Sequence, residues 1–424
     1  MSKLYFERYA YRHTFIKEPP SPNLGLVVTI PCFNEPDLIS SLESLKACEP
    51  PGCDLEVIVV INESRDAHDN INKQNRATLN AATEWCTAHS TTQLKFFVHY
   101  EALPPKHAGV GLARKIAMDE AARRLDHVGN TNGIISCFDA DGLCDSNYLV
   151  ALEEYFKTHP KSPGCSIHFE HPLQGAENEN IYQAIVDYEL FLRYYVHALK
   201  FAQYPHAHQT IGSSMAVRNN IYQKQGGMNK RKAGEDFYFL QKIIPLGLFG
   251  DLNKTRVIPS PRISDRVPFG TGKAVNDWLI NAKLNTYNQL IFNDLLHLIE
   301  SINSSKDFKN IISELDGTQW PASINAFLET VDFESNIERI ANNSGSLGAF
   351  KSNFYQWFDA FKVLKYVHFA RDHFHPNIPI YEAASTLLKM NGITPASTAK
   401  EVLIQYREID KSSVLGFGDI KSAI

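Results

Sequence analysis

Residues Ile134–Tyr148 read IISCFDADGLCDSNY. Ile134, Ile135, Cys137 and Phe138 make a short apolar run with a β-branched start, the pattern of a strand buried on both faces, and the run stops at Asp139, Asp141 and Gly142. Carboxylates at the end of such a strand stay accessible to solvent while the strand holds their backbone. In open α/β sheets ligands sit at that carboxyl end, so Asp139 and Asp141 are candidates to hold a hard divalent cation against phosphate oxygens. Acid-x-acid spacing alone is weak evidence. It recurs at Glu177/Glu179 and Glu408/Asp410, and the competing reading is a solvated turn; the preceding strand and Gly142 are what favour a site here.

Working outward, three more apolar runs come before this one. Leu24–Ile30 (LGLVVTI) predicts a first strand that breaks at Pro31, followed by the turn Pro31-Cys32-Phe33-Asn34-Glu35 and a helix with Leu38, Leu42 and Leu45 on one face. Leu55–Ile61 (LEVIVVI) predicts a second strand ending at Asn62-Glu63-Ser64, with a polar helix through Trp85 after it. Leu94–His99 predicts a third strand, followed by the loop Pro104–Gly111 with Lys106 and a helix from Leu112 to about Leu125. Strands and helices alternating at this spacing mean βαβ crossovers and a mostly parallel sheet. Glu35, Asn62, Lys106 and the aspartates would then gather along one sheet edge, the place to expect a nucleotide.

On the other side the pattern predicts a helix at Leu149–Phe156, a short strand at Cys165–Phe169 and a long helix at Ile181–Ala202 whose aromatic stripe reads as packing. Ile211–Val217 and Gly226-Gly227 lead to Gly234-Glu235-Asp236 and a helix from Phe237; the turn-rich loop Pro259–Gly272 carries Arg262 and Arg266. From about Ala274 helical periodicity dominates, in Asp277–Ile302, Phe350–Phe369 and Ile380–Met390. The expected organisation is a lead-in over 1–22, an α/β domain over 23–272 and an α-helical region over 273–424.

Composition sets the class. Of 424 residues 44% are hydrophobic and 21% charged, ordinary for a globular chain long enough for two or three domains. A net charge of -5 argues against a nucleic-acid partner, which would call for a basic face. No run reaches the length of a membrane span and MSKLYFERYAYRH lacks the apolar core of a signal peptide, so a cytoplasmic enzyme is expected, with peripheral membrane contact left open. The 7 cysteines all fall between Cys32 and Cys165 with no C-x-x-C pair, which suggests neither a disulfide framework nor a thiolate zinc site.

Five features in order resemble a family 2 glycosyltransferase of the GT-A fold. They are the apolar strand with Pro31-Cys32-Phe33-Asn34-Glu35, the second strand with its polar end, Gly109-Val110-Gly111-Leu112-Ala113-Arg114, Asp139-Ala140-Asp141, and Gly234-Glu235-Asp236. The resemblance implies a nucleoside-diphosphate-sugar donor, a hydroxyl acceptor and a Mn2+ or Mg2+ ion. It makes Asp141 the metal ligand with Asp139 in support or at the ribose, Asp236 the base and Glu235 an acceptor contact. Pro31, Phe33, Glu35, Asn62, Lys106, Gly111, Arg114, Asp139, Arg262 and Arg266 would face the donor, the last two arginines on a flap over the diphosphate.

Each role has a structural rival. Glu235 and Asp236 suit an acidic helix start, and Arg114 suits a surface ion pair. His168, His171, His206 and His208 include a potential further ligand, but these, like His368, His373 and His375, read first as structural or surface residues. Asn62 stands where many relatives carry an aspartate, leaving the base of the nucleotide open. The processive Gln-x-x-Arg-Trp signature is absent, favouring single additions. Two alternatives of another class remain: a haloacid-dehalogenase-type phosphatase with Asp139 as nucleophile, and a catalytically inactive sugar-nucleotide-binding protein.

Overall fold

The computed structural model describes residues 2–11, 14–263 and 270–412. Eight strands occur in one sheet: β1 Leu24–Cys32, β2 Asp54–Ser64, β3 Leu94–Leu103, β4 Ile134–Cys137, β5 Leu143–Cys144, β6 Gly164–Phe169, β7 Met215–Arg218 and β8 Gly250–Ile258. Their spatial order is β3-β2-β1-β4-β7-β6-β8-β5. The first four pair parallel through helical crossovers, β7 runs antiparallel to β4 and β6, β8 is parallel to β6, and β5 is antiparallel to β8. This is the α/β, mostly parallel architecture expected above, and the chain from Trp278 onward is dominated by helices.

Every residue of β1 but Gly25 is buried, because strands β2 and β4 flank it and helices cover its faces. Each fully buried Leu, Val or Ile there contributes roughly 2 kcal/mol. The strand does not break at Pro31, as the sequence suggested, but continues to Cys32. Thr29 faces β4, since its carbonyl accepts the Phe138 N–H at 3.0 Å, and Pro31 faces the same way two residues later. By then β4 has ended, so the missing proline N–H leaves no ladder bond unmade.

Other boundaries also move. β2 carries its polar end Asn62-Glu63-Ser64 inside the ladder opposite Glu101-Ala102-Leu103. The Asp277–Ile302 expectation splits into helices Thr271–Asn281 and Gln289–Ser304, and Phe350–Phe369 splits into Leu347–Trp357 and Ala360–His373, the second capped by Asp359 accepting the Lys362 N–H. The polar β8 had no apolar run to announce it, and pairing with β6 and β5 makes it a strand.

The chain forms two compact units, the first running to Ile185 and resuming over Thr210–Asp277, the second comprising Val186–Gln209 and the chain from Trp278 onward. In the first, Leu112, Ile116, Met118 and Leu125 of the helix Val110–His127 pack with Val27, Ile58 and Ile135 of the sheet. In the second, Leu190, Tyr194 and Ala198 of the long helix Glu179–Phe201 are buried, as the aromatic stripe suggested.

Candidate functional site

β4 delivers Asp139-Ala140-Asp141-Gly142 as a tight turn in which the Gly142 N–H donates to the Asp139 carbonyl at 3.2 Å. The helix Leu38–Lys46 steadies it, the Ser41 hydroxyl donating to the Ala140 carbonyl at 2.9 Å. Arg114, on the first turns of the helix Val110–His127, donates from Nη2 to Asp139 at 2.8 Å and from Nη1 to Glu235. The guanidinium is therefore a bridge between two acidic motifs far apart in sequence. Arg114 is 2% exposed and Glu235 3%, whereas the Asp139 side chain is 43% exposed, so one end of the bridge is sealed and the other faces solvent.

Two glycines make this packing fit. A Cβ on Gly111 would strike the Arg231 carbonyl oxygen, so only glycine lets the helix start approach the segment leading to Glu235. A Cβ on Gly212 would lie 2.5 Å from Arg114 Nη1. Gly212 comes close because β7 starts at Met215 opposite Cys137, at the carboxyl end of β4. Gly234, at φ +67°, caps the helix Glu235–Ile243 in a left-handed conformation that costs glycine least.

Electrostatics follow from the burial. Burial first, opposed by Arg114, pushes the Glu235 carboxyl up to about 7. Asp236 is raised too, by burial first with Arg114 opposing. For Arg114 burial works against the charge, but Glu235 and Asp139 outweigh it and hold the guanidinium cationic. Asp236 Oδ1 accepts the Phe237 N–H at 2.8 Å.

A second guanidinium holds the other aspartate. Arg262 Nη2 donates to Asp141 at 2.8 Å and to Glu35, whose buried carboxylate also accepts the Asp37 N–H at 2.9 Å. In both Arg114 and Arg262 the Nε is buried and has no hydrogen-bond partner among the described residues. The two cations thus sit on the two carboxylates of the turn, each with an unused donor.

The remaining expected residues are placed as follows. Asn62 is buried, its amide donating to the Cys32 carbonyl at 2.9 Å; Asn75 donates to Glu63 at 3.0 Å and accepts the Asn34 N–H at 2.8 Å. Pro31 is buried in β1 and Phe33 is partly exposed beside it. Lys106 is exposed, and no hydrogen bond or ion pair among the described residues ties it to the two arginine bridges. Arg266 lies outside the described residues. His168 pairs with Glu170 at 3.0 Å, and Glu170 with Arg256 at 2.9 Å; His171 meets Thr271 at 3.2 Å. No group of three or more His, Cys, Asp or Glu among the described residues is arranged to hold a metal. Sequence reasoning missed Gly212, Asn75 and the Asp145–Arg256–Glu170 link; none has a local signal, since strand pairing or, for Asn75, packing of the helix Asp69–His89 on the strand ends creates each contact.

A Mg2+-like ion needs only one or two protein carboxylates when substrate phosphates supply further oxygens. Asp141, 27% exposed at its side chain, and Asp139 fit that donor chemistry, with Arg262 drawing on the same Asp141 carboxylate.

Residues 27–226 match the family described as "Glycosyl transferase family 2". Among solved structures, S. aureus TarS 1-349 in complex with UDP-GlcNAc is similar at 11% identity, covering 92% of this chain and 90% of that one with a TM-score of 0.40. The mannosyltransferase PcManGT from Pyrobaculum calidifontis, in complex with GDP-Man and Mn2+, is similar at 16% identity, covering 87% and 91% with a TM-score of 0.36. No curated protein matches the chain in sequence.

Proposed function

We propose, because residues 27–226 match the model of glycosyl transferase family 2, that this chain moves a sugar from a nucleoside diphosphate to a hydroxyl acceptor, inverting the anomeric centre in one displacement and adding one sugar at a time. The supporting observation is the Arg114 bridge, which joins the Asp139 turn to the Glu235-Asp236 pair and so brings a donor-side and an acceptor-side acid to one guanidinium.

In this reading Asp141, with Asp139, would hold Mn2+ or Mg2+; when bound, such an ion neutralises the charge growing on the departing diphosphate. Asp236 accepts the acceptor's proton. Burial raises the affinity of its carboxylate for that proton, the direction a general base needs. Glu235, clamped by Arg114, adjoins Asp236 and would contact the acceptor. Arg262 exchanges a carboxylate for a diphosphate oxygen as the donor enters, with Arg266 on the same loop. Pro31, Phe33, Glu35, Asn62, Lys106 and Gly111 complete the proposed donor face, on a domain spanning 23–272. The cytoplasm is the proposed location; among the described residues no helix is long and apolar enough to cross a membrane.

The test is a panel of uridine and guanosine diphosphate sugars with and without Mn2+, read by thermal shift and by release of the nucleoside diphosphate. One donor is expected to raise the melting temperature and be hydrolysed slowly, with Asp236→Asn lowering turnover about 100-fold or more. If no donor binds, the transferase reading fails; if Asp236→Asn turns over normally, the base assignment and the inverting course fail.

A further inference from the structure

We propose that Cys48 and Cys144 form an oxidisable pair, a disulfide latch that joins the end of the helix Leu38–Lys46 to β5 beside the Asp139-Ala140-Asp141 turn. Their sulfurs lie 3.6 Å apart, against about 2.05 Å in a disulfide, so closure has to bring them only about 1.5 Å nearer. Neither residue is fully buried, so a small oxidant can reach the pair.

The backbone around the sulfurs is already held in register. Ser41, Ser44 and Cys48 succeed one another along one face of the helix and its exit. Ser41 donates to the Ala140 carbonyl at 2.9 Å, and the Cys144 N–H donates to Ser44 Oγ at 2.9 Å. Cys48 Sγ in turn lies 3.4 Å from the Ser44 carbonyl and 3.7 Å from that of Asp145. The helix thus grips the turn at Ala140 and the strand at Cys144, and the sulfur pair is the third grip in that line. Cys144 is three residues past Asp141, so a covalent link there restrains the segment that carries the acid turn. The hydrogen bond shared with Cys144 lowers the Cys48 thiol below its ordinary value, and in the proposed exchange Cys48 attacks first.

The oxidant is a disulfide of the glutathione class. The Cys48 thiolate attacks one of its sulfurs, forming a mixed disulfide and releasing one glutathione. The Cys144 thiolate then attacks the Cys48 sulfur, the bond between the two cysteines forms, and the second glutathione leaves. Two electrons pass to glutathione, and the two cysteine protons end on the two released thiols.

The experiment incubates the full chain, in its native state, in glutathione buffers of graded oxidised fraction. Samples are acid-quenched, alkylated and mapped by peptide mass, alongside Cys48→Ser and Cys144→Ser. Expected is a Cys48–Cys144 linked peptide as the first intramolecular disulfide, reversed by reductant, with each variant instead retaining one bound glutathione on its remaining cysteine. Stable glutathione on both cysteines of the unmodified chain, or another pair linking first, overturns the proposal. The wild-type map decides even where a variant folds poorly, and the latch stands or falls independently of the transfer reaction.

Discussion

Arg114 is the residue on which the candidate site turns, because its planar fork serves two carboxylates at once. Lysine offers one compact charge, so Arg114→Lys is expected to keep one partner and lose the other's orientation. Donor turnover should fall on the order of 100-fold, the scale of a misplacement near 1 Å, with KM changing less than kcat. Arg114→Met would strand Glu235 and Asp139 and should cost about 3 kcal/mol, measured by urea titration. Gly212→Ala separates orientation from charge: the new methyl must displace the guanidinium at 2.5 Å, so activity should fall by far more than stability. Asp139, Asp141, Glu235, Asp236 and Arg114 were legible as candidates because residue type and the end of a strand or start of a helix are local properties. That Arg114 bridges two of them, and that Gly212 makes room for it, was not legible, since both depend on β7 returning antiparallel beside β4.

Elements show the same division between local and distant causes. The helix Val110–His127 is tied from outside by the lead-in: the Tyr5 hydroxyl donates to Asp119 at 2.5 Å, the Tyr11 N–H to Asp119 at 2.9 Å and the Thr14 hydroxyl to Glu120 at 2.6 Å. Deleting residues 1–18 is expected to lower the stability of the first unit by several kcal/mol, by taking the Thr14, Phe15 and Ile16 donors from Glu120 and leaving Asp119 with only Tyr222 and Lys115; urea midpoints of the full and shortened chains would measure it. In the second unit Glu189 accepts from Arg193 at 2.9 Å and from Arg407 at 2.7 Å, and Asp410 accepts from Arg193 and from His197 at 2.8 Å.

Burial would raise the Asp410 carboxyl, but His197 and Arg193 outweigh it and hold the group well below the ordinary range. Burial also pushes His197 down, so Arg193 is the partner whose charge persists at neutral pH. A depressed carboxyl stabilises the fold fully above its ordinary value, begins to lose that contribution below about 4 and has lost it only once pH has fallen through the depressed value. Asp410→Asn should therefore cost about 3 kcal/mol at pH 7 and much less only at a pH near the depressed value, read from melting curves at both. An equal cost at the two pH values would show that the charge is not the cause.

For the whole molecule, the decisive measurement is coupling between donor and cation. A donor at 100 times its Kd adds about 2.7 kcal/mol of stability, a rise of a few degrees in Tm. Asp141→Asn is expected to erase the part of that rise that depends on Mn2+ while leaving the melting temperature without ligand nearly unchanged. The sequence by itself determined the alternation of apolar runs with amphipathic helices, hence the parallel sheet, and the kinds of acid at its carboxyl edge, because hydrophobic periodicity and side-chain chemistry are written residue by residue. Only the tertiary structure decided that polar Gly250–Ile258 is a strand, that Val186–Gln209 joins the helices from Trp278 onward, and that two arginines neutralise the two aspartates of the turn. The physical reason is that strand pairing and burial of charge are satisfied between segments distant in the chain, and no short stretch records which partner it will meet.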